Sequence, residues 1–205
     1  MAVDLLGLPR LLGAAPPPFR VVGKRVTLRA PERGDWRDWT ALRRESRAFL
    51  TPWEPSWSED ALTRAAFRRR LARYAADWRS DQGYSFLMFR LDGVLLGGLS
   101  LSNVRRGVAE SGSLGYWVGA SHARQGYMSE GLGLLLGFAF QRLRLHRIEA
   151  ACLPHNVASR RLLLKTGFRE EGYAREYLCI DGRWQDHVLF AILADEWAAR
   201  RADAK

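Results

Sequence analysis

A chain of 205 residues, 47% of them hydrophobic and eight of them tryptophan, has material for one domain with its own core, is short for two, and is not a disordered chain. Its 32 basic residues outnumber 22 acidic ones, a net charge of +10, which directs it toward phosphates, nucleic acid, ribosomes or acidic proteins, although the Ala/Arg/Leu/Gly bias also suits a GC-rich genome. Cys152 and Cys179 occupy apolar stretches outside any C-x-x-C or Cys/His ligand spacing, which predicts buried free thiols, a reducing cytoplasm and no metal site.

Residues 1–20 carry Asp4 and Pro9 and lack a basic leader, so they read as neither a signal peptide nor a membrane span; Pro16–Pro18 make them a flexible arm. The domain is expected over 21–197 and a tail over 198–205. Lys24–Ala30 alternates as a first strand, and Asp35 is placed to cap a helix to about Phe49. After the Trp/Pro-rich loop Leu50–Trp57, a second helix runs from about Ser58 to Arg79, with Ala65, Leu71, Tyr74, Ala75 and Trp78 on its apolar side. Tyr84–Leu91 and Val94–Ser102 form a hairpin across Asp92-Gly93, followed by a strand at Gly112–Gly119. Residues 129–144 are helical, Arg147–Leu153 is a short strand, and Asn156–Thr166 is a helix stopped by Gly167. Arg175–Ile180 and Trp184–Leu193 close the chain as a hairpin across Asp181-Gly182. The order β-α-α-β-β-β-α-β-α-β-β predicts a single α+β (α/β) domain with a mixed sheet.

Two segments concentrate groups that could do chemistry. The loop Arg124-Gln125-Gly126-Tyr127-Met128-Ser129-Glu130 leads from a strand into a helix, whose unpaired N–H groups and dipole suit a pyrophosphate; Gly126 permits close approach and Arg124 adds charge. An ordinary connection reads the same way, and neither a P-loop nor a G-x-G-x-x-G site is present. In the second segment Asn156 stands at a strand-to-helix junction with Ser159 after it; a plain N-cap explains the asparagine as well. His122, His146, His155 and His187 show no metal-ligand spacing.

Together these segments resemble the GNAT superfamily of acyl-CoA N-acetyltransferases. Residues Asn156-Val157-Ala158-Ser159-Arg160-Arg161-Leu162-Leu163-Leu164-Lys165-Thr166-Gly167-Phe168 match the family's asparagine, leucine, Gly-Phe and spacings, and the resemblance spans about residues 24–195. KRVTLRAPERGD, Leu114–Val118, Gln125–Glu130 and Arg183–Val188 are most similar to the ribosomal-protein-alanine N-acetyltransferases. There are departures: Ala123 and Met128 stand at usual loop positions, Leu163 replaces the tyrosine often used as general acid, and Ser113 replaces a frequent basic glutamate.

The resemblance implies acetyl-CoA as co-substrate, without a metal. The strand carrying Tyr116, Trp117 and Val118 would splay from its neighbour at a bulge and hold the pantetheine, and residues 124–129 would take the pyrophosphate. Asn156 would bind the pantetheine arm or a water, Ser159 would protonate the thiolate, and Glu110 is the nearest carboxylate for a base. The acceptor is expected to be a protein N-terminal amine, such as that of a ribosomal protein, with ribosome association possible. Trp53, Trp57, Tyr177 and Trp184 fall where the family's acceptor site opens, either for core or lid packing or for substrate contact. Arg64, Arg68, Arg69, Arg70 and Arg73 form a basic face, either solvated or steering an acidic partner. A small-molecule amine is the second acceptor reading. A non-catalytic ribosome- or RNA-binding module is the third, but no RNP-type signature supports sequence-specific nucleic-acid binding, and no membrane role is expected.

Overall fold

Alternating apolar residues and turn glycines build eight strands into one sheet. The computed structural model describes residues 19–202, so the predicted arm over 1–18 and residues 203–205 lie outside the described residues. The strands are β1 (Arg20–Val22), β2 (Val26–Arg29), β3 (Tyr84–Arg90), β4 (Leu95–Arg105), β5 (Ser111–Val118), β6 (Arg147–Cys152), β7 (Arg169–Ile180) and β8 (Arg183–Leu193). The helices are α1 (Trp36–Glu45), α2 (Arg47–Leu50), α3 (Arg64–Arg79), α4 (Tyr127–Gly137), α5 (Val157–Thr166) and α6 (Ala194–Ala202). The sheet order is β1-β2-β3-β4-β5-β6-β8-β7, antiparallel throughout except for the parallel pair β5–β6. The mixed sheet and single domain are thus as expected.

Several boundaries move, each for a local reason. Phe19, assigned to the arm, packs its ring 4.7 Å from that of Phe138, and Arg20 opens β1. Residues 198–202 continue α6, whose Trp197 is buried, so the predicted tail is helical there. Asp35 does not cap α1; its carboxylate is held by Arg29 and the Glu32 amide. Helix α3 starts only at Arg64, capped by Thr63, and its buried anchor is Phe67, outside the predicted stripe. After α4 the chain widens into a π turn over Phe138–Arg142. Cys179 is exposed rather than buried because β7 is an edge strand.

The larger core lies between the sheet and α4, α5 and α6, around Leu132, Leu135, Ile148, Leu163 and Phe190. A smaller cluster of Trp39, Leu42, Phe67, Leu87, Phe89 and Leu95 sits on α1 and α3. Gly131 brings α4 against β3, where a Cβ would fall 2.6 Å from Met88 Sδ. The central feature is a fork. Strands β5 and β6 pair only at Ser111↔Arg147, Gly112↔Ile148 and Ser113↔Glu149. Beyond that β5 continues on β4 to Val118 and β6 continues on β8 to Cys152, so their facing edges part. The expected splay is present, but the ladder irregularity falls between β4 and β5, at Ser102/Arg105.

Candidate functional site

Helix α4 begins beside the open end of the fork. Its N-cap Gly126 has φ +81, a conformation open to glycine at little cost, and contributes no side-chain cap. The first-turn amides of Tyr127, Met128 and Ser129 therefore lack a side-chain acceptor and project the positive helix end. Met128 turns its side chain into the core, which leaves its backbone on the loop side. Arg124 is exposed at φ +59, and the Gln125 side chain is tied back to the Ser121 carbonyl at 2.8 Å. Glu130 faces the other way. Burial pushes its carboxyl up, but the Arg25 amide at 2.7 Å, the Arg25 guanidinium at 3.0 Å and the Val26 amide at 3.3 Å outweigh this and lower it. Arg25 also donates to the Gln125 carbonyl at 3.2 Å, so this pair fixes the loop from behind.

On the opposite arm of the fork, Ser159 lies in the first turn of α5. Asn156 caps that helix, accepting from the Ser159 amide at 3.0 Å; its side-chain oxygen is thus engaged in the capping role. Leu163, where many members of the resembled family carry a tyrosine, is fully buried in the core. The hydroxyl found instead comes from β5: Tyr116 Oη lies 2.6 Å from Ser159 Oγ. Burial pushes the Tyr116 phenol up to about 12, against a lowering by the Ser159 hydrogen bond. Cys152, at the end of β6, is buried beside this pair, and burial raises its thiol. The sequence points to Tyr116 as part of the strand that would hold the pantetheine, not for its hydroxyl. No local signal joins residues 43 positions apart, as the fork does.

Glu110 is not at the fork. It precedes β5 at the closed end, where Arg106 holds its carboxylate at 3.1 Å and the Gly107 amide donates at 2.9 Å. From there to Tyr116 the strand rises by about 20 Å, so it cannot serve as base at the Tyr116–Ser159 pair.

The other face of β5 opens on a cavity of about 700 Å³, bounded by Gly115, Tyr116 and Trp117 of β5 and by α1, α3 and the loop between them. Glu54 is held there by both Nη atoms of Arg43, at 2.7 and 2.6 Å, and by Trp57 Nε1 at 2.9 Å. Asp60 is bound by Arg69. The β7–β8 turn closes over the loop, with the Asp181 amide 3.0 Å from the Glu54 carbonyl. Of the predicted aromatics, Trp57 lines this cavity. Trp53 instead packs 5.4 Å from the His155 ring, Tyr177 lies 5.8 Å from the His187 ring, and Trp184 is exposed. Among the described residues no cluster of His, Cys, Asp and Glu is placed to hold a metal, and no helix is long and apolar enough to cross a membrane.

Residues 25–169 match the family described as Acetyltransferase (GNAT) domain. The chain is 35% identical over 189 residues to the [Ribosomal protein uS5]-alanine N-acetyltransferase of Escherichia coli, covering 90% of this chain and 96% of that protein. Among solved structures it is similar to Mycobacterium smegmatis RimJ in complex with CoA-disulfide, at TM-score 0.82 and 35% identity, covering 87% of this chain and 88% of that one. It is also similar to the ribosomal-protein-S5-alanine acetyltransferase of Vibrio fischeri, at TM-score 0.80 and 27% identity over 87% and 98% of the two chains.

Proposed function

Because this chain belongs to the GNAT acetyltransferase family, and is thereby an acetyl-CoA-dependent N-acetyltransferase, we propose that it acetylates the N-terminal α-amine of a protein, of the ribosomal-protein-alanine type. The observation that carries this reading is a part-buried pair, Tyr116 and Ser159, standing across the fork between an anion-ready helix start and an arginine-rich acceptor cavity. The near full-length likeness to an alanine N-acetyltransferase supports the acceptor class. A polyamine acceptor fits less well, since both cavity acids, Glu54 and Asp60, are already neutralised by arginine and leave the cavity positive.

In this reading the amides of Tyr127, Met128 and Ser129 and the side chain of Arg124 hold the pyrophosphate of acetyl-CoA. The free edge of β5 at Tyr116, Trp117 and Val118 orients the pantetheine arm, with Asn156 at its side, and polarises the thioester carbonyl. An α-amine has a pKa of about 8, so a water chain suffices to finish its deprotonation in place of Glu110. Ser159 Oγ, oriented by Tyr116, donates its hydrogen bond to the departing sulfur. A cytoplasmic setting and contact with the ribosome accompany this proposal.

Incubating the enzyme with acetyl-CoA and short peptides beginning with Ala, Ser or Met, alongside a panel of small amines, tests it by mass spectrometry. N-terminal acetylation of peptides is expected; acetylation of small amines alone would overturn the acceptor assignment.

A further inference from the structure

The arginine-rich face of α3 enters the acceptor cavity unevenly neutralised. Four arginines line the cavity, Arg43, Arg69, Arg70 and Arg73, against two carboxylates. Arg43 binds Glu54 and Arg69 binds Asp60, which uses both acids. Arg70 instead lies over the Trp39 ring at 5.3 Å and reaches the Tyr74 hydroxyl at 3.2 Å, and Arg73 lies over the Tyr74 ring at 5.5 Å. Among the described residues neither has a carboxylate partner. Their i,i+3 spacing sets them side by side on one helix face, about 5–6 Å apart at Cβ. Stacking on Trp39 and Tyr74 orients these guanidiniums without neutralising them, and a paired, planar donor set of this kind recognises a carboxylate. The same cavity reaches Gly115, Tyr116 and Trp117 at the fork.

We propose that Arg70 and Arg73 select acceptors bearing a carboxylate close to the acetylated amine, namely chains with Asp or Glu as the second or third residue. This rests on the N-terminal acceptor reading. The amine would sit at the fork while the acidic side chain pairs with the α3 arginines. A lysine at that position would meet two uncompensated cations and be rejected.

The test compares peptides Ala-Glu-, Ala-Gln- and Ala-Lys- with identical remainders. For the wild-type enzyme kcat/KM is expected to be about tenfold higher for Glu than for Gln, and lower still for Lys. Arg73→Glu, at an exposed position, is expected to reverse the order in favour of Lys, a change that general loss of structure would not produce. Arg70→Gln is expected to shrink the Glu/Gln ratio toward one. A wild-type ratio near one, or an unchanged order in Arg73→Glu, would overturn the inference while leaving peptide acetylation standing. Acetylation of free acidic amines but of no peptide, with the same dependence on Arg73, would support the arginine assignment and remove the N-terminal reading. Acetylation of none of these acceptors would remove both.

Discussion

Tyr116 and Ser159 meet at 2.6 Å, and the part-buried phenol, pushed up to about 12, stays protonated near neutral pH. A thiol titrates near about 8.5, so full proton transfer from that phenol to a thiolate runs uphill by several pH units. On the proposed reading the pair would act as an aligned donor that stabilises the leaving sulfur, and the proton that remains on sulfur would be supplied by the amine as it becomes an amide. Ser159→Ala is expected to lower kcat by about 100-fold, the low end of acid–base contributions, with acetyl-CoA affinity retained. Tyr116→Phe is expected to cost less, because Ser159 remains and only its orientation is lost. Single-turnover rates with separately measured donor affinity check both; near-normal kcat in Ser159→Ala would end the assignment. At this scale the sequence was informative where a role is attached to a motif and uninformative where it depends on pairing. Ser159 stood out through Asn156-x-x-Ser159, whereas the Tyr116 hydroxyl acquires its role only when β5 and α5 face each other. Glu110 was misplaced because nearness along the sequence stood in for nearness in space. Three positions before Ser113 is already about 10 Å down the strand, toward the closed end.

Elements with strong local punctuation were legible, and those without were not. Gly167 at φ +102 stops α5, and Asp181 and Gly182, at φ +45 and +77, turn the last hairpin, as their residue types require. The first half of β7 carries Arg169, Glu170 and Glu171, which protect an edge strand and also hide it from a hydrophobicity pattern. Helix α4 shows the reverse relation. Its Glu130 belongs to the most suggestive segment of the chain, yet it is a structural anchor, held by Arg25 and Val26. Since the folded-state pKa of Glu130 is lowered, its contribution is present above the unfolded value near about 4.3 and is lost as pH falls through the folded one. Glu130→Gln is accordingly expected to destabilise the protein by about 1 kcal/mol at pH 7, given that Arg25 is half-exposed, with the difference from wild type narrowing below pH about 4. Thermal denaturation across that range measures it, and a difference independent of pH would refute the anchor's charge dependence.

On the scale of the molecule, a net charge of +10 and a cavity with two arginines that lack a carboxylate partner among the described residues would form one positive field around an acceptor bound as proposed. Cations near an ammonium disfavour its charged form, so the bound amine should titrate below the free amine's value of about 8. The rising limb of kcat with pH, which reports the bound state, is expected to lie at lower pH than that of kcat/KM, which reports the free amine. Coincident limbs, or the reverse order, would show that the field does not act on the nucleophile. The mixed sheet itself could be read in advance, because a strand, a helix and a further strand at 111–152 demand a parallel neighbour. How short that parallel contact is could not be read, since nothing in the residues of β5 or β6 says where two strands stop touching. That brevity has a consequence of its own. With three residue pairs as their direct ladder, the β1–β5 and β6–β8 portions present unpaired facing edges beyond Ser113 and Glu149, while one shared core joins them from behind. On the proposed reading, a pantetheine laid along that open edge would be, for that time, the missing rung between the two halves.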